Sequence, residues 1–189
     1  MKKSVSTFTL LVILFSNINA QVTVNGATLP ARLFQTKTEL VLNGAGVRTK
    51  YFIKPYVSGL YLKSKSSDAK EIINADKPMA VRMHIISNLM TNSNMTTAII
   101  EGFEKSTNGN TKPIQPKIDI CTKVFNKEPI KVGDVFDIYY IPNQGTKIFK
   151  NGIFQEPIIP GLDLKKAIFG IWLCDNPVEE SLKKKMLGL

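Results

Sequence analysis

The sequence predicts an α+β domain, a large antiparallel sheet with helices packed on one face. Three observations carry this. Short apolar segments joined by hairpin signals open the chain, and a second such group follows residue 134. Helical periodicity is confined to the middle and the end. The regular strand–helix alternation that a parallel sheet requires is missing.

Taken in order, residues 1–20 read as a secretory signal. Lys2 and Lys3 form a charged start, residues 8–15 an apolar run, and Asn19-Ala20 a cleavage point before Gln21. The run is too short to cross a bilayer, and no other segment approaches that length. The mature chain is therefore expected to be soluble, secreted or periplasmic, without stable membrane insertion, and to form one domain over residues 21–189. Residues 22–24 and 27–33 read as strands around an Asn25-Gly26 hairpin signal. Residues 39–42 and 51–62 follow as a second pair, with Asn43-Gly44-Ala45-Gly46 expected to be the turn between them. Its glycines would supply positive φ. Pro55 marks an edge or a bulge on the second of these strands.

Residues 68–75 read as a short helix capped by Ser67 or Asp68. Residues 80–87 alternate, with Val81, Met83 and Ile85 on one face and Arg82 and His84 on the other. Residues 92–106 form an amphipathic helix with Ile99, Ile100 and Phe103 turned inward. A further helix over 116–125 uses Ile118, Cys121 and Phe125. A meander then covers 135–141, 146–150 and 153–159, its second turn built on Asn151-Gly152. Helices over 162–174 and 178–187 close the chain, separated by Asn176-Pro177.

Composition narrows the function. Without Lys2 and Lys3, 23 basic and 15 acidic residues remain, a net charge of +8. Lysine dominates and is spread along the chain rather than clustered with aromatics, which argues against nucleic acid as a partner. Lys183, Lys184 and Lys185 fit a solvated face near a helix C-terminus. Cys121 and Cys174 fall on apolar helix faces; a disulfide and two buried thiols both stay open. With one histidine and no CxxC spacing, neither a metal centre nor a cofactor is expected.

Few residues have the means for chemistry. His84 sits beside Arg82, which discourages its protonation, and one imidazole does not assemble a catalytic triad. Asp134 reads as the start of a strand and Asp137 as an exposed position. Tyr139 and Tyr140 alternate across the sheet. Gly44-Ala45-Gly46 lacks the spacing of a nucleotide-binding loop. Arg48 is different. Residues 40–67 carry Arg48, Lys50, Lys54, Lys63 and Lys65 and no Asp or Glu. An unpaired guanidinium between apolar strands is costly. Its counter-charge must come from a distant carboxylate, from water contact or from a ligand. Tyr56, on the following strand, can donate to the same anion. Together they can hold a carboxylate, through a guanidinium fork and a phenol.

VNGATLP, LNGAGVR and FIKPYVSGLYL, in that order, resemble the chalcone isomerase-like family. So do VRMHIIS, AIIEGFEKS, IYYIPNQGTKIFKNGIF and IWLCDNPVEESLKKKMLG. The resemblance covers essentially the whole mature chain. It implies an open-faced β-sandwich, a large antiparallel sheet under a layer of helices. In the family's true enzymes, intramolecular lyases that close a flavanone ring without a cofactor, an arginine in the glycine segment acts with polar partners. Carried onto this chain, the arginine is Arg48. The polar positions become Tyr56, Met95, Ala98, Gly102 and Ile171. Met95, Ala98, Gly102 and Ile171 offer no side-chain donor, and losing one important donor costs roughly 2–4 kcal/mol of transition-state stabilisation. The pattern is closer to the family's non-catalytic branch, whose members hold a fatty acid through an arginine and a tyrosine. The resemblance thus implies a secreted, bacterial-looking binder of a fatty acid or similar amphipathic anion, held by Arg48 and Tyr56. The alternatives are an intramolecular lyase on an unknown substrate, or an interaction protein whose cleft is filled by its own side chains.

Overall fold

The computed structural model describes residues 21–34 and 38–189. The signal-like segment 1–20 lies outside the described residues. Strands β1 (Gln21–Val24) and β2 (Ala27–Pro30) form a small hairpin of their own. The main sheet follows chain order through β3 (Arg32–Leu33), β4 (Leu40–Lys50), β5 (Ile53–Leu62), β6 (Met79–Ile85), β7 (Val135–Ile141), β8 (Gly145–Lys150) and β9 (Ile153–Ile159). Every neighbouring pair is antiparallel, and the sheet curls into a half-barrel. Helices α1 (Ala69–Asn74), α2 (Asn92–Ser106), α3 (Gln115–Phe125), α4 (Leu162–Leu173) and α5 (Glu180–Met186) complete the chain. The α+β architecture is the expected one.

Local chemistry explains most boundaries. Asn25 and Gly26 take φ of 47° and 81°, and Asn151 and Gly152 take 52° and 80°, the left-handed pairs that tight hairpins need. Asp68 caps α1 by accepting from the Glu71 amide, and Thr91 caps α2 by accepting from the Asn94 amide. On β6, Val81, Met83 and Ile85 enter the main core, while Arg82 and His84 face the other way. That core lies between the sheet and α2, α3 and α4, around Phe103, Phe136, Phe169 and Trp172.

The outer face of the sheet is not bare. Leu29, Leu33, Leu40, Leu42, Val57, Tyr61 and Tyr139 form a second cluster there, under the β1–β2 hairpin. Tyr61 donates to the Pro30 carbonyl at 2.9 Å. Tyr139 and Tyr140 alternate as expected, and both are buried, one in each cluster.

Several expectations are corrected. Asn43-Gly44-Ala45-Gly46 is no turn: it lies inside the 11-residue strand β4, and the turn is Tyr51-Phe52. The glycines serve close approach, not positive φ. A Cβ on Gly44 would lie 2.1 Å from the Lys185 carbonyl oxygen, and one on Gly46 would lie 2.8 Å from the Lys185 side chain. The C-terminal segment therefore rests directly on the β4 backbone. Asp137 is not exposed. It is buried and accepts from Arg82 Nε at 2.6 Å and Nη2 at 2.8 Å. Ile100 faces solvent, because α2 turns only Met95, Ile99, Gly102 and Phe103 inward. Cys121 and Cys174 are both free thiols; Cys121 is buried and Cys174 only half-buried, just past the end of α4. Pro55 does mark a bulge. The β4–β5 register slips between Arg48 and Lys50, opposite it.

Candidate functional site

Arg48 and Tyr56 are direct partners across β4 and β5. The register slip that follows takes Thr49 out of the regular ladder. Its amide donates instead to Glu179, at 2.6 Å. Glu179 stands at the start of α5 and also receives Arg48 Nη1 at 3.2 Å and the Ser181 hydroxyl at 2.6 Å. Burial alone would raise the Glu179 carboxyl's pKa, but the bonds from Ser181, Thr49 and Arg48 outweigh it and hold the group below its ordinary range.

Of the three sources of counter-charge left open by the sequence, the structure supplies a protein carboxylate. The carboxylate comes from far along the chain, 131 positions away. The pairing is partial, however. Nη1 bonds to Glu179 and to the Thr49 carbonyl at 2.5 Å. The guanidinium also acts on the Tyr56 oxygen as a donor, and its Nε and Nη2 meet no other acceptor among the described residues.

Tyr56 is buried, and its oxygen accepts from Trp172 Nε1 at 3.2 Å. An indole N–H can only donate. The phenolic proton is therefore not used in that bond, and no acceptor for it is found among the described residues. Burial pushes the Tyr56 pKa up, against the opposing effects of Trp172 and Arg48, so the group stays a neutral donor at physiological pH.

Beside these donors lies a cavity of about 290 Å³ between the sheet and the helices. That places it at the lower end of small-molecule sites. Met83, Met95, Phe103, Phe125, Ile138 and Ile171 line its depth, and Arg48, Tyr56 and Trp172 border it. Its solvent-exposed borders are Lys50, Tyr51, Ile53, Leu89, Asn94, Thr97 and Glu101, so it opens between the β4–β5 hairpin and α2. Among the described residues, no side chain fills the space beside Arg48.

The positions carried over from the enzymes also gather here. Met95, Ala98 and Ile171 line the cavity. A Cβ on Gly102 would lie 2.9 Å from Ile171 Cγ2, so the isoleucine occupies the space a side chain there would need. His84 lies on the opposite sheet face; burial first, then Arg82, lower its pKa, and it plays no part in this site. Among the described residues no cluster of His, Cys, Asp or Glu fit to hold a metal is present. Sequence reasoning missed Trp172 and Glu179. Trp172 is the single tryptophan, which was a usable signal; Glu179 carried none.

Residues 21–188 match the family described as chalcone isomerase-like. The chain belongs to that family. Among solved structures, a fatty-acid binding protein of Arabidopsis thaliana matches with a TM-score of 0.71 at 15% identity, covering 89% of this chain and 96% of that one. At that identity the likeness shows the chalcone isomerase-like fold. No curated protein matches in sequence. No helix among the described residues is long and apolar enough to cross a membrane.

Proposed function

We propose that this chalcone isomerase-like protein binds a fatty acid or a similar amphipathic carboxylate, in a secreted or periplasmic setting. One observation carries the reading: an unfilled apolar cavity meets donors that the protein does not fully spend, namely those of the Arg48 guanidinium and the Tyr56 proton. An acyl tail in the cavity contributes about 0.8 kcal/mol per buried methylene. Its carboxylate would take the free side of the guanidinium and the phenol. Glu179 opposes a second negative charge but is fastened by Thr49 and Ser181, so it lets Arg48 be shared rather than released. The apolar residues at Met95, Ala98 and Ile171 favour storage of a tail over stabilisation of an enolate. The fatty-acid binding protein of the same fold gives the reading a precedent.

Isothermal titration with dodecanoate and with its methyl ester tests this. The wild type should bind the acid more tightly than the ester, and Arg48→Ala should abolish that preference. Equal response of acid and ester to the substitution would remove the carboxylate role of Arg48.

A further inference from the structure

The tip of the β4–β5 hairpin has a feature that the cavity does not explain. Tyr51 and Phe52 form its two-residue turn, and Ile53 starts the next strand. Tyr51 is 84% exposed, Phe52 102% and Ile53 39%. Two other hairpins of the chain turn on Asn-Gly, whereas here Tyr51 takes a φ of 57°, a conformation a bulky side chain adopts at a cost. Nothing among the described residues covers these side chains. Leu89, 51% exposed, borders the same cavity mouth as Tyr51 and Ile53. Lys50 and Lys54 flank the tip on either side, and no acidic residue lies within residues 40–67. Lys50 meets Glu101 at 2.7 Å in an exposed pair, the kind that salt readily screens. Lys54 meets only the neutral Asn25 side chain, at 3.5 Å.

We propose that this hairpin tip docks the cavity mouth onto an anionic lipid surface. Aromatic and aliphatic side chains framed by lysines suit the interfacial zone of a bilayer, where rings enter the headgroup layer and ammonium groups meet lipid phosphates. The net charge of +8 that remains without Lys2 and Lys3 acts in the same direction. Docked in this way, the opening between the hairpin and α2 faces the membrane. A lipid anion can then move between bilayer and cavity without its tail crossing water. The transfer role rests on the binding reading above; the docking itself does not.

Co-sedimentation with vesicles separates the two. The full mature chain is mixed with vesicles of phosphatidylcholine alone, or of equal parts phosphatidylcholine and phosphatidylglycerol. Phe52 and Lys54 lie outside the cavity lining, so Phe52→Ser and Lys54→Glu leave the cavity intact. The wild type should sediment with the anionic vesicles and much less with the neutral ones. Phe52→Ser should weaken that association roughly tenfold, and Lys54→Glu should reduce it further at low salt, both with unchanged dodecanoate titration. No association with anionic vesicles, or association that neither variant weakens, overturns the proposal. So does a wild-type dimer that Phe52→Ser converts to a monomer, since the tip would then be a contact between copies. Vesicle association without dodecanoate binding would sink the cavity reading and leave the docking surface standing.

Discussion

Two of the sheet's arginines, Arg82 and Arg48, pair with carboxylates and do different work. Arg82 and Asp137, on paired strands β6 and β7, form a closed fork on the outer face, with both acid oxygens occupied. Arg48 and Glu179, on the helix side, share one guanidinium nitrogen at 3.2 Å and border an empty cavity. In the bidentate pair both carboxylate oxygens are satisfied, and Arg82 does not border the cavity. A one-point pair keeps its cation charged and positioned while leaving donors free. Geometry, more than the identity of the residues, separates the structural pair from the candidate binding pair.

Removing the cation from each pair should give opposite signatures. Arg82→Ala strands Asp137 in the interior and should cost about 3–5 kcal/mol of stability by urea unfolding, with the intact fraction still binding dodecanoate. Arg48→Ala should cost less, about 1–2 kcal/mol of stability, because Glu179 keeps its bonds to Thr49 and Ser181. Its dodecanoate affinity should instead fall about tenfold to a hundredfold, the range of a hydrogen bond to a charged group. If the two variants lose stability equally, the contrast between the pairs fails.

Tyr56→Phe removes one donor to the ligand and strands the Trp172 indole. Titration should show dodecanoate affinity reduced about tenfold, less than for Arg48→Ala. Glu179→Gln removes the negative charge that a ligand carboxylate must approach, so the same titration should show a few-fold tighter binding. Weaker binding would mean that Glu179 positions Arg48 more than it competes for it.

The smallest effect is one of pH. Glu179 and Asp134 both titrate below their ordinary values of 4.5 and 3.8; burial alone would raise them, but hydrogen bonds prevail. Folded values below the unfolded ones mean that the unfolded chain binds more protons as the solution is acidified. The stabilisation is thus fully present above about pH 5 and is lost as pH falls through the folded values. The urea midpoint should stay level from pH 7 to 5 and drop below about pH 4.5. The drop should be shallower in Glu179→Gln.

Much of the architecture was legible beforehand because local rules and tertiary context agree. Period-two alternation placed β6, Asn-Gly pairs placed two hairpins, and helical spacing marked α2 from Asn92 to Ser106. The glycine-rich stretch of β4 misled, because a glycine that yields to a neighbouring backbone looks the same in sequence as one that turns the chain. Asp137 misled for a related reason: alternation marks which residues share a face, and the outer face is covered by a hairpin from the far N-terminal end.

Lys165 makes the same point within the core. The side chain is fully buried and donates to the carbonyls of Ile72, Ile73 and Ala75 at 2.7 to 2.8 Å, closing the C-terminal end of α1. Burial pushes its pKa down to about 8, yet three carbonyl acceptors suit an ammonium. Nothing in the pattern of α4 separates this lysine from its half-buried neighbour Lys166.

The sequence by itself determined the class of fold, the order of most of its strands and helices, and the choice of Arg48 and Tyr56 as candidate anion holders, whereas their facing one another across β4 and β5 came from the structure. These follow from periodicity, turn chemistry and antiparallel neighbours, all of which act over short stretches of chain. The tertiary structure alone decided that Glu179 meets Arg48, that Trp172 turns the Tyr56 proton free, and that the space beside them stays open. Those contacts join residues more than a hundred positions apart. Only the packing of the C-terminal helices against the sheet brings them within hydrogen-bond range.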